Sequence, residues 1–266
     1  MNNNIDFYYF SGTGNTMLIA RKMTETFIEN GCHVNLKRME LSNGSNINIE
    51  NTIGLGFPVA ILSTYTLVWE FINSLPNVQG TEIFMVDTLG GYSGGLVGPL
   101  RNILEKKGYK PIGSCEIIMP INIFFIQDKK TNDLKIRKGL EKAEKYAEAL
   151  IEGTTNWGRV PFFSDIMYLI SIVGFKLSAI DLHQKYFKFK TDKSKCNNCG
   201  ICIDICPLNN IVLDKYPVTQ NKCEYCMRCV SMCPRHAIKS ILTYKGNTYS
   251  AVKANDFVKN KTDRLD

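Results

Sequence analysis

The chain has 266 residues, 44% of them hydrophobic, and a formal net charge of +7 at pH 7. That is long for one small domain and enough for two modules with separate cores, and no low-complexity tract is present. The charge is uneven, with 15 Lys/Arg and 15 Asp/Glu in residues 1–150 but 11 against 4 in residues 183–245; without an aromatic-basic stacking surface, that surplus makes no case for nucleic-acid binding.

Ile5-Asp6-Phe7-Tyr8-Tyr9-Phe10 has the aromatic content of a strand. It breaks into Ser11-Gly12-Thr13-Gly14-Asn15-Thr16 ahead of a helix with Ile19, Ala20, Met23 and Phe27 on one face and Asn30-Gly31 as its stop. Strand, loop, helix is the order that a phosphate-binding loop requires. The loop lacks both the lysine of a nucleoside-triphosphate loop and the G-x-G-x-x-G of a dinucleotide fold. It offers hydroxyls from Ser11, Thr13 and Thr16, close backbone approach at Gly12 and Gly14, and a helix N-terminus that favours a dianion, which together suit a terminal monophosphate.

Further on, Lys37 and its neighbours predict a second strand, Asn51 to Val59 a third, Leu67 to Leu75 a short helix, and Thr81 to Thr88 a fourth strand. Leu96 to Lys107 predicts a helix, Ser114 to Ile121 a fifth strand, and Lys130 to Glu152 a long charged helix with apolar positions at Leu134, Leu140, Ala143, Ala147 and Leu150. Strands alternating with helices in this way imply an α/β fold with a doubly wound parallel sheet. Cys32 and Cys115, near the starts of strands, read as buried apolar filler. The run Ile166 to Phe175 carries no charge but is half the length of a membrane span. It predicts a connecting helix; a membrane-surface or partner-docking role for 162–180 is the lesser reading.

The other eight cysteines form two copies of one spacing: Cys196, Cys199, Cys202 and Cys206 before Pro207, and Cys223, Cys226, Cys229 and Cys233 before Pro234. Three cysteines two residues apart curl the backbone around a cluster corner by corner, and the fourth lies beyond that loop. Paired C-x2-C units also make zinc sites, but a zinc ribbon has no use for eight cysteines with the proline repeated. The polar start Met1 to Asp6 runs straight into a strand and is no secretory signal, so a reducing cytoplasm is expected. His33, His183 and His236 are scattered, and no Ser-His-Asp group or carboxylate pair converges, so no catalytic residue is predicted.

The cysteine runs resemble the C-x2-C-x2-C-x3-C-P pattern of two-cluster bacterial ferredoxins. That resemblance assigns Cys196, Cys199, Cys202 and Cys233 to one [4Fe-4S] cluster and Cys223, Cys226, Cys229 and Cys206 to the other. The stretch from Ser11 to Thr16 resembles the phosphate loop of the flavodoxin family, whose ligand is FMN and whose strand order is 2-1-3-4-5. It implies that two loops flank the flavin ring: Phe57, Pro58, Val59 and Ala60 after strand three, and Thr88, Leu89, Gly90, Gly91, Tyr92 and Gly94 after strand four, with Tyr92 stacking. The first loop departs from the family, because Ala60, Ile61 and Leu62 are neither aromatic nor glycine; Phe57, Tyr65 or Trp69 is left to supply that contact.

Together the two stretches resemble the fused flavodoxin–ferredoxin proteins of anaerobes. The implied division is an FMN domain at 1–153, a helical linker at 154–185, a small α+β two-cluster domain at 186–245 and a tail at 246–266. The implied function is electron transfer between redox protein partners; the basic surplus reads equally as a docking face for acidic ones or as lysines, such as Lys193, Lys195, Lys215 and Lys222, that solubilise a small domain. The alternative is a flavin-dependent oxidoreductase that reduces a small molecule, with the clusters as electron inlet.

Overall fold

The computed structural model describes residues 1–60, 63–91, 95–158, 188–243 and 246–258. They divide into two compact units, the first made of Met1–Ser11, Asn15–Pro120 and 129–158, the second of Gly12–Gly14, Ile121–Asp128 and 188–258. The linker predicted at 154–185 lies outside the described residues from 159 onward, as does the stretch 162–180.

In the first unit, β1 (Asn4–Tyr9), β2 (His33–Arg38), β3 (Thr52–Pro58), β4 (Glu82–Leu89) and β5 (Lys110–Ile118) form one parallel sheet in the order β2-β1-β3-β4-β5. This is the doubly wound arrangement that strand–helix alternation implied, in the flavodoxin-like order that the resemblance implied. The middle strands are buried almost throughout, as parallel strands covered on both faces must be, whereas β2 at the edge has no buried residue. Its helices are α1 (Asn15–Glu29), α2 (Thr66–Ser74), α3 (Val97–Lys106) and α4 (Lys129–Glu152). Ile19, Ala20, Met23 and Phe27 of α1 are fully buried, and Phe27 and Phe7 both pack on Phe84, with centroids 5.7 and 5.3 Å away. Cys32 and Cys115 are buried free thiols.

Two expectations are corrected. β5 begins at Lys110 rather than Ser114, because at a sheet edge the missing N–H of Pro111 costs no ladder bond that the strand needs. The buried stripe of α4 runs through Asn132, Gly139, Ala143, Tyr146, Ala147 and Leu150, while Leu134 is 40% exposed and Leu140 only half-buried. Gly139 turns that face: a Cβ there would overlap Met119 Sδ, so the helix lies too close to the sheet for a side chain at this point.

Gly108 closes α3 with φ at +87°, its amide donating to Glu105 O at 2.9 Å, and a Cβ would overlap the Val78 carbonyl oxygen. Gly153 closes α4 with φ at +70° and open space around it. Each glycine avoids about 1–2 kcal/mol of left-handed strain, but only Gly108 adds a clash with backbone. Gly108→Ala is therefore expected to lower stability by about 3 kcal/mol or more and Gly153→Ala by only about 1; urea unfolding of the two variants side by side checks the difference.

The second unit contains two short antiparallel pairs, β6 (Lys190–Thr191) with β9 (Ile238–Lys239) and β7 (Ile211–Asp214) with β8 (Tyr216–Thr219), and two single-turn helices, α5 (Ile201–Asp204) and α6 (Arg228–Ser231). Its core joins Phe189, Cys202, Ile211, Met227, Cys229, Val230 and Ile238. Lys239 ties β9 to the turn after β6 through an ion pair with Asp192 at 2.8 Å. Phe124 joins the same unit, its amide donating to Leu242 O at 2.6 Å. Among the described residues, no helix is long and apolar enough to cross a membrane.

Candidate functional site

In the first unit, the order of the sheet reverses between β1 and β3, and ligands of such sheets bind beyond the carboxyl ends of the strands at this point. The chain leaving β3 is held tightly there. Val59 N donates to Thr88 O at 2.9 Å, and Ala60 and Ser63 exchange both backbone bonds, at 2.8 and 3.0 Å. Thr64 Oγ1 donates to Pro58 O at 2.9 Å, and Trp69 Nε1 donates to Ser63 Oγ at 3.1 Å. Phe57 is completely buried in the core, so it turns no ring toward this rim, whereas Pro58, Val59 and Ala60 are half-buried. Thr88 and Leu89 are buried and Gly90 and Gly91 exposed; Ile61, Leu62, Tyr92 and Gly94 lie outside the described residues. Tyr65 meets Phe10 edge-on with centroids 5.2 Å apart, so that ring is committed to the protein.

The loop from Ser11 to Thr16 connects β1 to α1 with buried hydroxyls at Ser11, Thr13 and Thr16. Thr16 Oγ1 and Thr88 Oγ1 lie 2.8 Å apart; one donates to the other, and the acceptor retains a hydroxyl hydrogen for a further partner. Thr13 Oγ1 accepts from Asn122 Nδ2 at 3.1 Å and likewise keeps its own hydrogen to give. Asn15 directs its amide to Pro120 O at 2.8 Å, which anchors the loop. Within the second unit, Thr13 O accepts from Ala251 N at 2.7 Å, a Cβ on Gly12 would overlap the Cys226 carbonyl oxygen, and one on Gly14 would overlap the Val252 side chain. Hydroxyl donors beside the opening amides of a helix fit a phosphate group.

One buried group escaped the sequence reading. Asp87 is completely buried one residue before Thr88, and both its carboxylate oxygens lack a hydrogen-bond partner. Burial, and then Glu116 opposite it in register, push its pKa well above the usual carboxylate range, with Lys142 opposing. Burial raises Cys115 beside it to about 11. An aspartate directly after the apolar run from Ile83 to Val86, still within the strand, was the available signal.

The cysteines fall into two sets. Cys196, Cys199, Cys202 and Cys233 line one cavity together with Gly200, Ile201 and Pro234. Burial pushes the Cys202 thiol up to about 12, and Cys233, Cys199 and Cys196 are near enough to add to it. In the other set, burial raises Cys226 to about 12, against the pull of Arg228, and Cys223 and Cys206 raise it further. Burial likewise raises Cys229, with Cys226, Cys223 and Cys206 adding to it and Cys202 the weakest of its neighbours. Each run therefore sends its fourth cysteine to the other run's set. The two loops repeat in backbone detail as well as in spacing: Asn198 and Gly200 in the first, and Tyr225 and Met227 in the second, all take positive φ. Beyond each loop the fourth sulfur accepts an amide at 3.3 Å, Asn210 N to Cys206 and Ala237 N to Cys233.

Among the described residues, no three His, Cys, Asp or Glu side chains converge on a single ion position. In the first set, the four cysteines line a cavity instead. Thiols that burial and their neighbours keep from ionising, Cys202, Cys226 and Cys229 among them, fit a multi-iron group, whose cationic irons take thiolates and offset their repulsion.

A parallel sheet of order 2-1-3-4-5 followed by two interleaved cysteine sets defines a fused flavodoxin–ferredoxin architecture. Residues 188–242 match the family model described as 4Fe-4S dicluster domain. Among solved structures, the chain is similar to a Streptococcus pneumonia TIGR4 flavodoxin, at 16% identity and TM-score 0.44, covering 56% of this chain and 98% of that one. It is also similar to oxidised flavodoxin 2 of Bacillus cereus, at 18% and 0.45 over 56% and 98% of the two chains, and to two-electron reduced Megasphaera elsdenii flavodoxin, at 23% and 0.37 over 53% and 98%. No curated protein matches the chain.

Proposed function

We propose that the chain is an electron-transfer iron–sulfur flavoprotein with FMN at the strand ends of an N-terminal domain and two [4Fe-4S] clusters in a C-terminal one. The interleaving of the two cysteine sets carries this reading, since the exchange of the fourth ligand is what a two-cluster ferredoxin domain requires. When bound, FMN exchanges one or two electrons and each cluster one, so paired electrons can be split and passed singly.

The chain's own contribution is binding and tuning. Ser11, Thr13 and Thr16, with the N-terminus of α1, hold the phosphate, and Gly12 and Gly14 let the backbone close on it. The Thr88–Val59 bond fixes the two loops flanking the ring, with Tyr92 as the stacking residue. The amides of Asn210 and Ala237 donate to ligand sulfurs, one on each set, and so stabilise the more negative, reduced state. The basic surplus of residues 183–245 suits acidic redox partners.

Anaerobic purification with iron, sulfide and flavin quantitation tests the reading. About eight iron and eight sulfide per chain, with about one FMN, are expected. Colourless protein without iron overturns it. Turnover of a small molecule with reduced ferredoxin and no protein acceptor would make the strand-end site a substrate pocket instead.

A further inference from the structure

Cys196 and Cys223, and likewise Cys206 and Cys233, are 27 residues apart, so every position in the first loop has a counterpart in the second. At that offset Ile201 corresponds to Arg228, one residue before the third cysteine of each run. The pair is the largest chemical difference between two loops that otherwise share their backbone turns.

Arg228 is 1% exposed and is the bulkiest of the fully buried side chains among the described residues. Its Nη1 donates to Ile205 O at 3.0 Å, on the residue preceding Cys206, and its guanidinium carbon lies 4.0 Å from the centre of the Phe257 ring. Phe257 is itself completely buried, so it covers the guanidinium from above. The charge is therefore fixed next to the residue preceding Cys206, close enough to act on Cys226, and shielded from solvent. The guanidinium bordering the first set belongs to Arg235, whose side chain is exposed, where water and salt screen it. Glu224, half-buried next to Cys223, opposes Arg228 but sits at the start of the loop.

We infer that Arg228 makes the two cluster sites unequal, so that the site held by Cys206, Cys223, Cys226 and Cys229 has the higher reduction potential and receives the first electron. Reduction adds one negative charge to a site, and a buried cation stabilises that added charge far more than an exposed one does. The site with Ile201 lacks that stabilisation and fills second. Of the two cluster sites, the one beside Arg228 thus takes the first electron from the reductant, and the other takes the second. The inference rests on the cluster reading above.

The test is an anaerobic redox titration of the full chain followed by electron paramagnetic resonance, with iron counted on the same samples. The wild type is expected to show two separate one-electron waves. Arg228→Met moves the upper wave down by at least tenfold in equilibrium constant, 59 mV for a one-electron couple, and leaves the lower wave in place, while Arg228→Lys retains most of the separation. Phe257→Ala, which keeps the charge but opens it to water, lowers the upper wave by a smaller amount. Full iron loading with both wild-type sites reduced in one unresolved wave overturns the inference, whatever the variants do. A shift of both waves together in Arg228→Met also overturns it. Absence of iron from the wild type defeats the cluster reading instead.

Discussion

Cys206→Ala is expected to empty the set that holds Cys223, Cys226 and Cys229, and to spare the three cysteines that are its own neighbours in sequence. Iron should fall from about eight toward about four per chain. Alkylation under anaerobic conditions, read by mass spectrometry, should label Cys223, Cys226 and Cys229 while Cys196, Cys199, Cys202 and Cys233 stay protected. Cys233→Ala should give the mirror result and expose Cys196, Cys199 and Cys202. The reason is the exchange seen in the structure: Cys206 adds to the ionisation cost of Cys226 and Cys229, whereas Cys233 heads the neighbours that raise Cys202. Labelling of the 196–202 run in Cys206→Ala would show that each run holds its own group, and the interleaved reading would fail. Because the two variants remove the same number of sulfurs, the contrast between their patterns separates ligand exchange from general loss of folding.

Spacing alone located these eight residues but did not say which partners each would have. The exchange came from resemblance, and in the structure it follows from where the chain turns after each loop. Asn209 and His236 both take positive φ three residues past the fourth cysteine, and each redirects the backbone so that the next amide donates back to that sulfur. The parallel sheet was legible for a simpler reason. Strands buried on both faces write themselves as apolar runs, and the helices between them as periodic ones. Where hydropathy was silent, the reading slipped. Gly139 has no side chain to announce that it faces the sheet, so hydropathy alone places the stripe of α4 on Leu134, which is 40% exposed. Lys110 and Pro111 disguised the start of an edge strand. Arg228 and Asp87 were hidden by the opposite bias, since a charged residue is ordinarily taken for surface.

Asp87 leads to the last expected result, that Asp87→Asn stabilises the first unit at pH 8 and has little effect near pH 4. In the unfolded chain this carboxyl ionises near the usual 3.9. In the folded chain, burial and the charge of Glu116 keep it protonated to a much higher pH, and Lys142 offsets only part of that. Below the unfolded value both states hold the proton, and Asp87 makes no pH-dependent difference. Above it the unfolded state gives up the proton and gains stability while the folded state does not, so folding loses about 1.4 kcal/mol per pH unit until the folded carboxyl ionises. The contribution of this group is thus fully present in acid and lost as pH rises, the reverse of a salt-bridged carboxylate. Asparagine has nearly the same shape, stays neutral and leaves the same polar atoms without a partner, so it removes the slope and little else. The gain should grow above pH 4 by up to about 1.4 kcal/mol per pH unit for as long as the folded carboxyl keeps its proton. The chain's two tryptophans, Trp69 and Trp157, both lie in the first unit, so urea unfolding followed by their fluorescence at a series of pH values reads this unit directly. Parallel wild-type and variant curves across pH 5–8 would mean that Asp87 is ionised in the fold, and its orphaned oxygens would then require a cationic partner.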